Sequence, residues 1–143
     1  MKYIVDPCIL NNFLDGSLRI ETLPRDGDYV ASHIQVDEIN NTKYAERRAK
    51  LLLLFTETVK EILPTESAIA GIYRAGYCKA GDGIICSKIK NDLDLMNGGK
   101  ENNMRDALIV EISINNRFTL LTADFDLQEV AKRNGCNMIY WKT

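Results

Sequence analysis

The sequence predicts an α/β domain with a mostly parallel central sheet flanked by helices, and three observations carry that prediction. Short apolar runs containing β-branched residues alternate with helical stretches along the chain. One such run stands near each end, KYIVD at residues 2–6 and NMIYW at 137–141. The length of 143 residues is that of one domain, taken as 1–143, large enough to bury a core of its own.

Residues 2–6 read as a buried strand that ends at Asp6. Pro7 suits the first turn of a helix, where its fixed φ fits and its missing N–H is not needed. Cys8–Leu14 continue that helix and Asp15-Gly16 end it. Residues 17–28 read as a loop, and Tyr29–Ala31 as a brief apolar stretch. Ser32 takes the N-cap place with Gln35 as its capping-box partner, so a helix through Ile34, Asp37, Glu38 and Ile39 follows. From Tyr44 to Ile62 the apolar residues recur at helical spacing. Residues 61–64 form a short strand stopped by Pro64. Thr65 or Ser67 caps a helix through Ile69, Ile72 and Tyr73. Gly81-Asp82-Gly83 is a turn, 84–95 a helix and Asn97-Gly98-Gly99 a break. Asn103–Asn115 is helical, Phe118–Thr122 a strand, and Ala123–Asp126 the loop at its carboxyl end. Leu127–Asn134 is a helix closed by Gly135, and the last strand follows.

Composition narrows the function. At 45% hydrophobic and 27% charged residues the chain is an ordinary soluble protein rather than a disordered one. Its longest apolar run, Leu51–Phe55, is far short of a membrane span. Asp6 and Pro7 interrupt the N-terminal apolar stretch too early for a signal peptide, so the expected location is the cytoplasm. The four cysteines are scattered and there is one histidine, His33, which argues against zinc and for free thiols. His33 reads as a structural residue. A net charge of −2 does not favour a general nucleic-acid binder, although it hides local patches.

The placement of acids carries the chemistry. Asp6 ends the first strand, and Asp124 and Asp126 follow the FTLLT strand. Asp106 sits in the first turn of the preceding helix, and Glu38 on the helix capped by Ser32. In a parallel α/β sheet such positions can share the crevice at the strands' carboxyl ends. Each acid alone also has a structural role open to it: Asp6 and Asp126 as helix caps, Asp106 as a partner of the helix dipole, Glu38 as a solvated residue. Together, carboxylates crowded in one pocket repel one another, and a hard divalent cation removes the conflict. A metal so held activates water and steadies a phosphate, which points to phosphodiester hydrolysis.

YIVDPCILNNFL, Glu38 within ASHIQVDEINNT, NNMRDALIVEISINN and FTLLTADFDL resemble the motifs of PIN-domain ribonucleases. The resemblance runs from about Lys2 to Trp141, and its most specific part is RDALIVEISINNRFTLLTADFDL. It implies a PIN-like domain of the VapC toxin type, cutting single-stranded RNA with Mg²⁺ or Mn²⁺. It places the catalytic acids on Asp6, Glu38, Asp106 and Asp124, and the metal on Asp6, Asp106, Asp124 and the additional carboxylate Asp126. Thr122 matches a hydroxyl beside the metal. An antitoxin protein and a homodimer are the implied partners. Pro7 and Cys8 depart from the pattern, standing where many members carry Thr or Ser and then Asn. They keep open the alternative of a weakly catalytic module that binds RNA or protein. A phosphatase using Asp124 and Asp126 is a third reading, opposed by the lack of a second Asp two residues after Asp6.

RNA also requires cations. Arg74, Lys79, Lys88 and Lys90 form one basic group, Arg47, Arg48 and Lys50 another, and Lys100 and Arg105 adjoin Asp106. Arg105, Arg74 and Lys79, with Thr122, are the expected substrate contacts. Tyr73 and Tyr77 read as core aromatics, with stacking on bases as the other possibility.

Overall fold

A computed structural model describes residues 1–16, 19–69, 71–72 and 75–141, with Ile20 described in its backbone alone. Arg74 and Tyr73, named above, lie outside the described residues. Five strands form one all-parallel sheet: β1 (Lys2–Val5), β2 (Asp28–Ala31), β3 (Val59–Ile62), β4 (Thr119–Thr122) and β5 (Asn137–Tyr140). Their order is β3-β2-β1-β4-β5, so the chain builds outward from β1 on one side and then crosses to the other. The order reverses between β1 and β4, where a parallel α/β sheet opens a crevice at its carboxyl edge.

The helices are α1 (Pro7–Leu14), α2 (His33–Asn40), α3 (Ala45–Thr58), α4 (Ile84–Asn97), α5 (Asn103–Asn116) and α6 (Phe125–Arg133). Alternate strand residues face opposite layers, as the period of two requires. Ile4, Val30 and Leu120 pack with Ile89 and Leu93 of α4, Leu108 and Ile112 of α5 and Leu127 and Val130 of α6. On the other face, Tyr3, Val5, Tyr29 and Leu121 pack with Ile9 of α1. Ala31 joins Leu10, Ile39, Leu51 and Phe55 of α1, α2 and α3. The sheet is therefore covered on both sides, the condition for an all-parallel sheet.

Several expected elements shift. The helical pattern expected to reach Ile62 ends at Thr58, and Val59–Ile62 runs straight into pairing with β2. Strand pairing wins there because β-branched Val59 and Ile62 fit the extended edge. Among the described residues no helix forms through Ile69 and Ile72, and Tyr73 of that expected helix lies outside them. Thr65 donates its N–H to Tyr77 O, its carbonyl accepts from Lys79 N, and its hydroxyl donates to Ser67 O. Those bonds occupy the backbone groups a helix cap would use. Helix α6 begins at Phe125, so Asp126 lies in its first turn rather than in a loop. The Ser32–Gln35 capping box forms as expected, and Gln35 Nε2 also donates to Val5 O, tying α2 to the end of β1. Among the described residues none of the four cysteines is in a disulfide. Among the described residues no helix is long and apolar enough to cross a membrane.

Candidate active site

Register places the first acid. Val5 is opposite Leu121 and Asp6 N donates to Leu121 O at 2.9 Å, so Asp6 and Thr122 stand side by side at the carboxyl ends of the two central strands. Asp6 occupies the N-cap position of α1 but makes no side-chain cap bond. Its Oδ2 accepts instead from Thr122 Oγ1 at 2.7 Å and from Cys8 Sγ at 3.0 Å. Asp124 is the residue that caps α6, its Oδ1 accepting from Leu127 N at 3.1 Å. Asp124 N in turn donates to Thr122 Oγ1 at 3.0 Å. Thr122 thus links two acids through one hydroxyl.

Two helices bring the remaining acids. Asp106 is in the first turn of α5, and Glu38 is on α2. Glu38 Oε1 is buried without a hydrogen-bond partner, an unusual state for a carboxylate oxygen. The acids act on one another. Burial raises the Asp6 carboxyl, helped by the charge of Asp124, while the bonds from Cys8 and Thr122 pull it back. Glu38 is pushed up to about 7 by burial and then by Asp6, with Arg105 opposing. Asp106 is pushed up to about 9 by burial, then by Asp6, Glu38 and Asp124, with Lys100 opposing. Four elements thus converge on one acidic pocket whose charges are mutually disfavoured. Asp126 is not among the main influences on any of the three.

The convergence stops short of a finished ligand set. Among the described residues, no group of three carboxylate, thiol or imidazole side chains is drawn together closely enough to grip one ion. The donor chemistry nevertheless fits a hard cation: the acids offer oxygen, and the buried Glu38 Oε1 lacks a partner. Burial and the charge of Asp6 push the Cys8 thiol far above its ordinary value, so it stays protonated and serves Asp6 as a donor. In this way Cys8 supplies a hydrogen bond where the motif would have a hydroxyl or amide nearby.

A cleft of about 260 Å³ runs from Asp106 and Asp124 past Asn97, Lys100, Glu101 and Asn102. Its wall is held by Asn103, whose Nδ2 donates to Asp94 Oδ1 and Asn97 Oδ1 at 2.7 and 2.8 Å. That clasp between α4 and α5 was not legible in the sequence. Of the expected cations, Arg47 is bound to Asp15 and Asn11, Lys88 to Asp92 and Asn134, and Lys90 to Asp94. Lys79 pairs with Glu66, which also accepts from Asn116 at the far end of α5 from Asp106. The structure therefore does not bring Lys79 to the pocket. Lys100 and Arg105 form no ion pair among the described residues and act on the acids. Tyr77 is about half exposed, at 51%, rather than in the core.

The sheet order and the pocket at its switch point define a parallel α/β domain with an acidic crevice at its carboxyl edge. Solved structures agree on the fold. The chain aligns over 99% of its length with all of a chain from VapBC2 of Rickettsia felis, solved bound to a DNA fragment from their promoter, at 18% identity and a TM-score of 0.58. It aligns over 99% with 98% of a chain from VapBC-1 of nontypeable Haemophilus influenzae, at 18% identity and a TM-score of 0.63. A domain of a functionally unknown protein from Methanocaldococcus jannaschii matches at 17% identity and a TM-score of 0.52, covering 99% of this chain and 91% of that one. No family model matches the sequence, and no curated protein does.

Proposed function

We propose that this chain is a divalent-metal-dependent endoribonuclease and the toxin of a toxin–antitoxin pair, acting in the cytoplasm. The observation that carries the proposal is the convergence of Asp6, Glu38, Asp106 and Asp124 from four elements on the switch point of the sheet, where burial and mutual charge raise the carboxyls of Asp6, Glu38 and Asp106. Asp6, Asp106 and Asp124 would hold Mg²⁺ or Mn²⁺, with Asp126 as an additional carboxylate. When bound, the ion supplies a Lewis acid and an acidified water for attack on a phosphodiester. Glu38, desolvated and pushed up to about 7, is suited to take a proton from the attacking water near neutral pH. Thr122 and Cys8 fix the orientation of the Asp6 carboxylate. Lys100 and Arg105, in no ion pair among the described residues, would meet the phosphates of the strand lying in the cleft. The VapBC structures suggest an antitoxin as protein partner, and a homodimer remains part of the proposal.

The test is cleavage of single-stranded RNA by the purified chain. Cutting is expected with Mg²⁺ or Mn²⁺ and is expected to stop with EDTA and in Asp6→Asn. Cleavage that survives both would remove the metal mechanism. A second reading, a module that binds without cutting, has one specific observation in its favour: the acids do not close into a ready ligand set. Calorimetry with millimolar Mg²⁺ and Mn²⁺ separates the two, since the binding module would show no heat.

Thr122→Val tests the support of the first acid. It deletes the 2.7 Å bond to Asp6 Oδ2 and the acceptor of Asp124 N. Groups that orient a metal ligand typically contribute 10–100-fold, so Mn²⁺ affinity is expected to fall by about that factor. Unchanged affinity would show that Asp6 needs no such support.

A further inference from the structure

Away from the acidic pocket, α2 carries a second cluster of reactive side chains. Nδ1 of His33 lies 3.0 Å from Asp37 Oδ2, and its Nε2 lies 3.4 Å from Cys78 Sγ. The imidazole is buried, and Cys78 is half-buried on the segment that bridges to Thr65. With Asp37 accepting from Nδ1–H, the tautomer is fixed and Nε2 is left to accept the thiol proton. Nucleophile, base and orienter are thus in line, the arrangement by which a thiol is activated. A cavity of about 390 Å³ borders the cluster, lined by His33, Val36, Asp37, Asn40, Ile62 and Tyr77. The other cysteines lack these features. Cys86 and Cys136 are buried, and Cys8 donates to a carboxylate.

We propose that Cys78 is a reactive thiol, activated by His33 and Asp37, and the site at which hydroperoxides oxidise this protein. His33 Nε2 takes the thiol proton. The sulfur attacks the terminal peroxide oxygen, an S–O bond forms and the O–O bond breaks. The leaving alkoxide or hydroxide takes the proton from His33 and departs as alcohol or water. Cys78 is left as a sulfenic acid, oxidised by two electrons, while the peroxide is reduced by two. The proposal is independent of the nuclease reading.

The full chain, treated with hydrogen peroxide in the presence of dimedone and mapped by peptide mass spectrometry, provides the test, with the initial rate of iodoacetamide labelling at pH 7 as a second readout. Cys78 is expected to react about tenfold faster than Cys8, Cys86 or Cys136 and faster than the same thiol in the urea-unfolded chain. His33→Asn is expected to remove that advantage. Asp37→Asn, whose side chain is nearly isosteric, is expected to reduce it several-fold with the circular dichroism spectrum unchanged. Cys78 labelling no faster than in the unfolded chain would overturn the proposal. So would a folded Asp37→Asn protein that labels at the wild-type rate, which decides the matter should His33→Asn fail to fold.

Discussion

Asp106→Asn is expected to abolish metal-dependent RNA cleavage and, at the same time, to make the metal-free protein more stable. The two effects share one cause. In the unfolded chain the carboxyl titrates near its ordinary value of 3.8, whereas in the folded pocket it is pushed up to about 9, by burial first and then by Asp6, Glu38 and Asp124. Across that window the folded protein holds a proton the unfolded chain has released. Stability therefore falls as pH rises from about 4 towards about 9, and is not penalised below about 4. Asn has no proton to lose, so at pH 8 the variant is expected to gain about 1–3 kcal/mol. For a domain of this size that is several degrees in Tm. Below pH 4 the two melting temperatures should converge. Added Mn²⁺ should raise the Tm of the wild type and leave that of the variant nearly still. Cleavage is expected to drop at least about 100-fold, since Asp106 is a direct ligand in the proposed mechanism and such a ligand matters no less than the groups that orient it. Equal melting curves at pH 8 would mean that the acids are not crowded as described.

The large features of the fold were legible because they rest on local chemistry. Pro7 and Ser32 mark two helix starts, and both helices begin there. The central strands follow from runs such as YIV and TLLT, whose alternate residues face two different layers. The helix expected through Ile69 and Ile72 is absent among the described residues because the order there comes from distant partners. Thr65 bonds to residues 77 and 79, and Ser67 to Glu111, and no window of sequence contains those pairs. The end of α3 was placed too late for a similar reason, since only the presence of β2 turns Val59–Ile62 into a strand.

The site divides along the same line. Asp6 and Asp124 were placed by strand ends, and register then put them together. The capping role open to Asp126 is performed by Asp124, because the first turn of α6 begins two residues earlier than the apolar pattern suggests. The basic residues were the least legible. A count of lysines and arginines cannot tell which are already engaged. Arg47, Lys88 and Lys90 are bound to acids of this chain, leaving Lys100 and Arg105 beside the pocket. Cys8 carried a signal that was read as a loss. Its thiol hydrogen bond to Asp6 depends on the two-residue separation across the start of α1, which brings Sγ to 3.0 Å from Oδ2.

Glu111→Leu is expected to destabilise the whole domain, although Glu111 lies outside the acidic pocket. It is 2% exposed, on the same helix as Asp106. Its Oε1 accepts from Ser67 Oγ at 2.8 Å and its Oε2 from Cys86 N at 3.0 Å. Cys86 is in the first turn of α4, whose N-cap, Gly83, offers no side chain. Glu111 therefore caps α4 from a neighbouring helix, with a carboxylate at the positive end of the helix dipole, and pins the 65–67 segment as well. Leucine would fill the space and leave a backbone N–H and a hydroxyl without partners, at about 1–3 kcal/mol each. Relief from burying a carboxylate offsets part of that, so a net loss of about 2–4 kcal/mol is expected in chemical denaturation. Glu111→Gln should lose less, because the Ser67 hydroxyl can turn and accept from the new amide while the remaining oxygen still receives Cys86 N. Should Leu and Gln prove equally harmless, α4 is not held through Glu111, and the wall of the cleft that α4 shares with α5 owes its position to core packing and the Asn103 clasp.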